Sequence, residues 1–124
     1  MDFMTSAEKA KVAVKALDSK KGEDIQAIHV RDLTILADYF VIASASNTTQ
    51  VKTLADEVEY QLELLGVRPN HTEGYGSASW IVLDYGEVVV HVFYKEAREF
   101  YSLDRLWSDG EKLDIRQLLG SEED

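Results

Sequence analysis

Three histidines (His29, His71 and His91) and 23 carboxylates are the side chains of this 124-residue chain that could ligate a metal or move a proton. Either chemistry needs convergence, since a metal site takes several ligands at once. The histidines fall in separate stretches, and neither H-x-H nor H-E-x-x-H occurs. There is no cysteine, which excludes disulfides, thiolate catalysis and cysteine-based zinc sites. No G-x-S-x-G elbow, phosphate-binding loop or G-x-G-x-x-G is present. The abundant acids leave a lone magnesium site open, but no D-x-D pair stands on an expected strand. The histidine that stands out is His91, set in VVVHVFYKEAREFY from Val88 to Tyr101. Three roles are open to it: a structural or surface hydrogen bond, a contact beneath another molecule, and catalysis, for which the sequence supplies no second group.

The hairpin that carries His91 fixes its neighbours. WIVLDY (Trp80 to Tyr85) and EVVVHVF (Glu87 to Phe93) read as strands with Gly86 between them. With Gly86 and Glu87 as a two-residue turn, Tyr85 faces Val88, Asp84 faces Val89, Leu83 faces Val90, Val82 faces His91 and Trp80 faces Phe93. Side chains alternate along a strand. One face therefore carries Ile81, Leu83, Tyr85, Val88, Val90 and Val92, and this is the expected core side. The other carries Trp80, Val82, Asp84, Val89, His91 and Phe93. Large aromatics with a few polar groups make a poor interior and a good binding surface. Asp84 lies diagonally across from His91, within reach of a long side chain. A hydrogen bond between them is expected, with His91 partly hydrated.

The remaining elements follow from periodicity. Thr5 and Glu8 stand at capping-box spacing ahead of a helix whose stripe is Ala10, Ala13, Val14 and Leu17, with Gly22 as its stop. A short strand is expected over Asp24 to Val30, then a connection, RDLTILA. DYFVIASA, Asp38 to Ala45, is the apolar run of a strand buried on both faces, placing Tyr39, Phe40 and Ile42 in the core. Asn47 caps a second helix with Val51, Leu54, Val58, Leu62 and Leu65 on one stripe, Glu57 and Glu59 on its wet side, and Gly66 at its end. The Gly- and Ser-containing stretch from His71 to Ser79 reads as loop. A short helix spans Lys95 to Tyr101, where Arg98 is placed to ion-pair Asp104, and part of the following stretch reads as a further helix. The order is α-β-β-α-β-β-α: an α/β (α+β) single domain, a mixed sheet flanked by helices, over residues 1–110. Residues 111–124 form a tail expected to be partly disordered, ending in acids.

The formal net charge of −10 disfavours contact with bare nucleic acid and leaves two readings open, solubility through net repulsion and a basic protein partner. No run of about 18 apolar residues exists. The N-terminus, MDFMTSAEKA, is neither a signal region nor arginine-rich, so a cytoplasmic protein is expected.

DYFVIASASN (Asp38 to Asn47), EGYG (Glu73 to Gly76), WIVLDYGEVVVHVF (Trp80 to Phe93) and EAREFYSLDRLW (Glu96 to Trp107) together resemble the Iojap, or ribosomal silencing factor, family over about residues 7 to 108. One departure is Ala45, where the family pattern has glycine. The resemblance implies a nucleotidyltransferase-like fold without that enzyme's chemistry. Those enzymes hold metal and nucleotide with a Gly-Ser turn and paired aspartates, and here Ser46 and Asn47 follow the strand with no D-x-D after them. The implied role is non-enzymatic and needs no cofactor or metal. It is binding to the large ribosomal subunit at its protein fourteen, blocking of small-subunit joining under nutrient limitation, and participation in large-subunit assembly. Matching the motifs to the mixed face gives the expected partner-binding set: Trp80, Asp84, His91, Phe93, Glu96, Glu99, Tyr101, Leu103 and Trp107. Trp80, Phe93 and Trp107 would be apolar anchors, with Asp84, Glu96 and Glu99 as acidic contacts. Trp107 as a cap on the core, and Phe93 packed under the last helix, stay open as alternatives. So does a homodimer of the free protein through the same patch.

Overall fold

Thr5 and Glu8 make the reciprocal capping box that starts the first helix. The Thr5 N–H donates to Glu8 Oε1 at 2.8 Å, and the Glu8 N–H donates to Thr5 Oγ1 at 3.1 Å. The computed structural model describes residues 4–30, 37–101, 111–113, 115 and 119, and the side chains of all these except 99–101, 111 and 112. The expected connection over 31–36, the further helix after Tyr101, and Asp104, Leu103 and Trp107 lie outside the described residues. So do the side chains of Glu99 and Tyr101.

The elements are α1 (Ser6–Ser19), β1 (Glu23–His29), β2 (Tyr39–Ala45), α2 (Thr48–Leu64), β3 (His71–Glu73), β4 (Trp80–Asp84), β5 (Val88–Tyr94), α3 (Lys95–Tyr101) and β6 (Glu111–Lys112). Among the described residues they build one mixed sheet in the order β3-β4-β5-β2-β1-β6. The central pair, β2 with β5, is parallel, and every other pairing is antiparallel. Val41 to Ala45 of β2 are all buried, as a strand between two neighbours and two covered faces must be.

Two strands are added to the expected order. β3 lies in the stretch expected as loop, and its three residues are all exposed. An exposed polar edge strand has no apolar alternation to announce it, and only backbone pairing with β4 defines it. β6 crosses the boundary expected at residue 110 by pairing with β1, and Leu113, Ile115 and Leu119 beyond it pack against the main core.

α1 and α2 cover the same side of the sheet. Their buried residues, Ala10, Ala13, Val14 and Leu17 from one and Val51, Leu54, Val58 and Leu62 from the other, join Ile81, Leu83, Tyr85, Val88, Val90 and Val92 in the main core. Asn47 Oδ1 caps α2 by accepting the Gln50 N–H at 2.8 Å. Leu65, expected on the buried stripe, is instead the C-cap and 54% exposed, because the helix ends one residue before it. A groove of about 380 Å³ between α1 and α2 is lined by Val12, Lys15, Ala16, Ser19, Gln61, Leu64 and Leu65. It gathers no carboxylate.

α3 lies across the other side, at the ends of β2 and β5. Arg98 is buried there. Its Nη1 donates to the Asp24 carbonyl at 2.6 Å and to Ser44 Oγ at 3.2 Å, and its Nη2 lies 3.5 Å from Asp24 Oδ2. The expected pairing of Arg98 with Asp104 falls outside the described residues. Asp24 sits in a β-bulge, with the register shifting between Glu23 and Gln26 and φ at +50°. Arg98 therefore ties α3 to the one irregular point of β1.

Candidate partner-binding face

The hairpin register is the one expected: Trp80 faces Phe93, Val82 faces His91, Leu83 faces Val90 and Asp84 faces Val89. The turn closes with the Tyr85 N–H donating to the Val88 carbonyl at 2.9 Å. Residues directly opposite share a face. Away from α1 and α2, the sheet thus presents His71 and Glu73 of β3, Trp80, Val82 and Asp84 of β4, Val89, His91 and Phe93 of β5, and Phe40, Ile42 and Ser44 of β2.

This side has a floor and a surface. Ile28, Val30, Ala37, Ile42 and Phe93 form a second, smaller core, with Phe40, Trp80, Val89 and Ala97 packed on it half-buried. Phe93 has no exposure at all. It lies beneath Trp80, ring centroids 5.0 Å apart and the rings stacked, with Ala97 of α3 on the same cluster. Trp80, Val82, Asp84 and Val89 remain half-buried, and His71, Glu73 and Glu96 are exposed.

His91 is buried, at 6% exposure, rather than partly hydrated. Its partner is Trp80, not Asp84: the indole Nε1–H donates to His91 Nδ1 at 3.1 Å. Val82 faces His91, so Trp80 and Asp84 lie on its two diagonals. Asp84 is taken by its own turn, where Oδ1 accepts the Gly86 N–H at 2.8 Å. Such local bonds commonly outcompete a longer reach for Asp. Phe40 meets the imidazole edge-on at 5.0 Å. Burial pushes the His91 pKa down to about 4, against a smaller upward pull from the Asp84 charge. The ring is therefore neutral at physiological pH. Among the described residues no group of three His, Cys, Asp or Glu side chains stands close enough to hold a metal ion.

The face thus brings together Trp80, Asp84, His91 and Phe93 of the expected set, and Glu96 stands on the adjoining α3. Two exposed members were not anticipated. His71 and Glu73, joined through His71 Nε2 and Glu73 Oε1 at 2.7 Å, come onto it only because β3 pairs with β4. Pairing the H-T-E triplet across Trp80 to Asp84 was the signal that would have found them. Phe40, expected in the core, reaches the same side half-buried.

A family model described as "Ribosomal silencing factor during starvation" matches residues 4–124. The chain is 38% identical over 105 residues to "Ribosomal silencing factor RsfS" of Bacillus subtilis, covering 85% of this chain and 89% of that protein. It is 30% identical over 98 residues to the mouse "Mitochondrial assembly of ribosomal large subunit protein 1", covering 77% of this chain and 43% of that one. A crystal structure of a Chromobacterium violaceum protein superposes with a TM-score of 0.83 at 36% identity, covering 90% of this chain and 92% of that one. The same fold, matched along nearly its whole length, accompanies the same sequence pattern: the chain belongs to the ribosomal silencing factor family.

Proposed function

We propose that this chain docks through the β4–β5 face and α3 onto the large ribosomal subunit at its protein fourteen, in the cytoplasm. There it stands in the way of the small subunit and lowers translation when nutrients are limiting. A part in large-subunit assembly belongs to the same reading. The observation that carries it is the match of residues 4–124 to a family described by silencing during starvation. The assembly role draws on the name of the mouse relative.

The chemistry of the face supports the site. Trp80 is a half-buried aromatic anchor seated on Phe93 and fixed by His91, the kind of pre-ordered residue that concentrates binding energy. Asp84, Glu73 and Glu96 give it an acidic rim suited to a basic ribosomal protein. Phe93 acts from beneath as support. Glu99, Tyr101, Leu103 and Trp107 belong to the proposed partner-binding set through the motif match alone. In the free protein, the same half-buried aromatics are available to a second copy. The role requires no catalytic step, cofactor or metal.

Sedimentation of the protein with separated ribosomal subunits tests the proposal. Co-sedimentation with the large subunit alone is expected, weakened at least about tenfold by Trp80→Ala, as truncating a central aromatic anchor commonly costs 2 kcal/mol or more. Asp84→Ala should have a smaller effect. Binding that survives both changes moves the site elsewhere, and no binding to either subunit overturns the function.

A further inference from the structure

Beyond Glu73, the EGYG motif lies in the loop between β3 and β4, and the docking reading leaves Gly74, Tyr75 and Gly76 without a task. At Gly74, φ +94°, the chain runs so close to β4 that a Cβ there would lie 2.0 Å from the Trp80 carbonyl oxygen and 2.9 Å from its carbonyl carbon. Glycine alone fits such an approach. The Gly74 carbonyl accepts the Ala78 N–H at 2.8 Å, closing a turn in which Ala78 is buried in a left-handed conformation, φ +56°. Next to Trp80, the Ser79 carbonyl accepts the Tyr94 N–H at 2.9 Å, fastening the loop end to β5. Tyr75 packs against the main core, and its hydroxyl donates to Glu59 Oε1 of α2 at 3.3 Å.

The backbone entering Trp80 is therefore held on three sides: by Gly74 in van der Waals contact, by Tyr94 through Ser79, and by α2 through Tyr75. β3, which leads into the loop, is exposed along all three residues, so the loop is held by its own contacts, Tyr75 and Ala78 on the main core among them. What the constraint does fix is the indole, whose stacking on Phe93 and bond to His91 depend on where its backbone lies. We propose that the segment Gly74–Ser79 is a positioning loop for Trp80. Gly74 and Tyr75 hold the indole in its docking orientation without themselves contacting the partner. The inference rests on the docking face proposed above.

The test pairs a readout on Trp80 with one on the ribosome. The indole N–H resonance of Trp80, assigned with Trp80→Phe, reports its bond to His91 in the free protein. Gly74→Ala is expected to displace or broaden it and to weaken large-subunit binding about tenfold or more, since displacements of an ångström carry penalties of that order. Tyr75→Phe deletes one hydroxyl and is expected to shift it less and to weaken binding about two- to threefold, the range of a single partly wet hydrogen bond. Should Gly74→Ala prevent folding, Tyr75→Phe alone decides. A Trp80 resonance unmoved in the folded variants overturns the positioning role, whatever the ribosome shows. A moved resonance with undiminished subunit binding, in these variants and in Trp80→Ala alike, overturns the docking face instead.

Discussion

An indole N–H can only donate, so the contact from Trp80 fixes the tautomer of His91: Nδ1 accepts, and Nε2 carries the proton of the neutral ring. That Nε2 is buried and has no hydrogen-bond partner among the described residues. Acid would put a second proton on Nδ1, break the indole bond and place a charge among aromatic rings. The folded pKa is about 4, below the 6.5 of a free imidazole, so between these values the unfolded chain binds more protons than the folded one. Stability due to this group is whole above about pH 6.5 and is lost as pH falls towards 4. The loss is at most on the order of 3 kcal/mol. Urea unfolding across that range is therefore expected to show a steeper decline for the native chain than for His91→Phe, whose ring does not titrate. Parallel declines would mean that other groups set the acid limit. The sequence made the face of His91 readable, because alternation settles faces. It did not make the partner readable, since two diagonals were open and the turn's claim on Asp84 chose between them.

Helices announce themselves by their ends and stripes. Thr5 with Glu8, Asn47 with Gln50, and the spacing of the buried residues on α1 and α2 were all visible in the chain. β2 was visible as an apolar run, and the β4–β5 register followed from one glycine. β3 and β6 were not, because strands of three and two residues carry too few positions for a period. The link from α3 to β1 was equally hidden: Arg98 reaches a carbonyl 74 residues earlier in the chain, and no local spacing encodes that. Arg98→Ala leaves the Asp24 carbonyl and Ser44 Oγ without this donor in a buried place, a loss of about 1–3 kcal/mol. Denaturant titration should show it as a lower midpoint. Arg98→Lys is expected to recover only part, because an ammonium has no second nitrogen to stand beside Asp24 Oδ2.

At the scale of the molecule, a formal charge of −10 would give the proposed docking reaction a long-range component. Raising ionic strength from about 0.01 to 0.15 M shortens the Debye length from roughly 30 to 8 Å. On the proposed docking face, the association rate with large subunits should then fall about tenfold or more, while dissociation, assigned there to the Trp80 contacts, changes less. Stopped-flow mixing with labelled subunits measures both. The sign of the charge was plain from composition, but not a partner, since net repulsion for solubility reads the same way. Which side of the sheet is left free of α1 and α2 followed from alternation along β4 and β5, whereas the parallel pairing at the centre of the sheet had no such signal. That pairing also has a history in time. Tyr39 of β2 meets Val88 of β5, 49 positions later in the chain. A ribosome adding about 5–20 residues per second needs about 2–10 s to make up that difference. For those seconds the nascent chain holds β2, an apolar strand, with one edge unpaired, the condition in which strands recruit the wrong neighbour. The length of that exposed interval is set by where β5 falls in the order of synthesis, not by its place at the middle of the finished sheet.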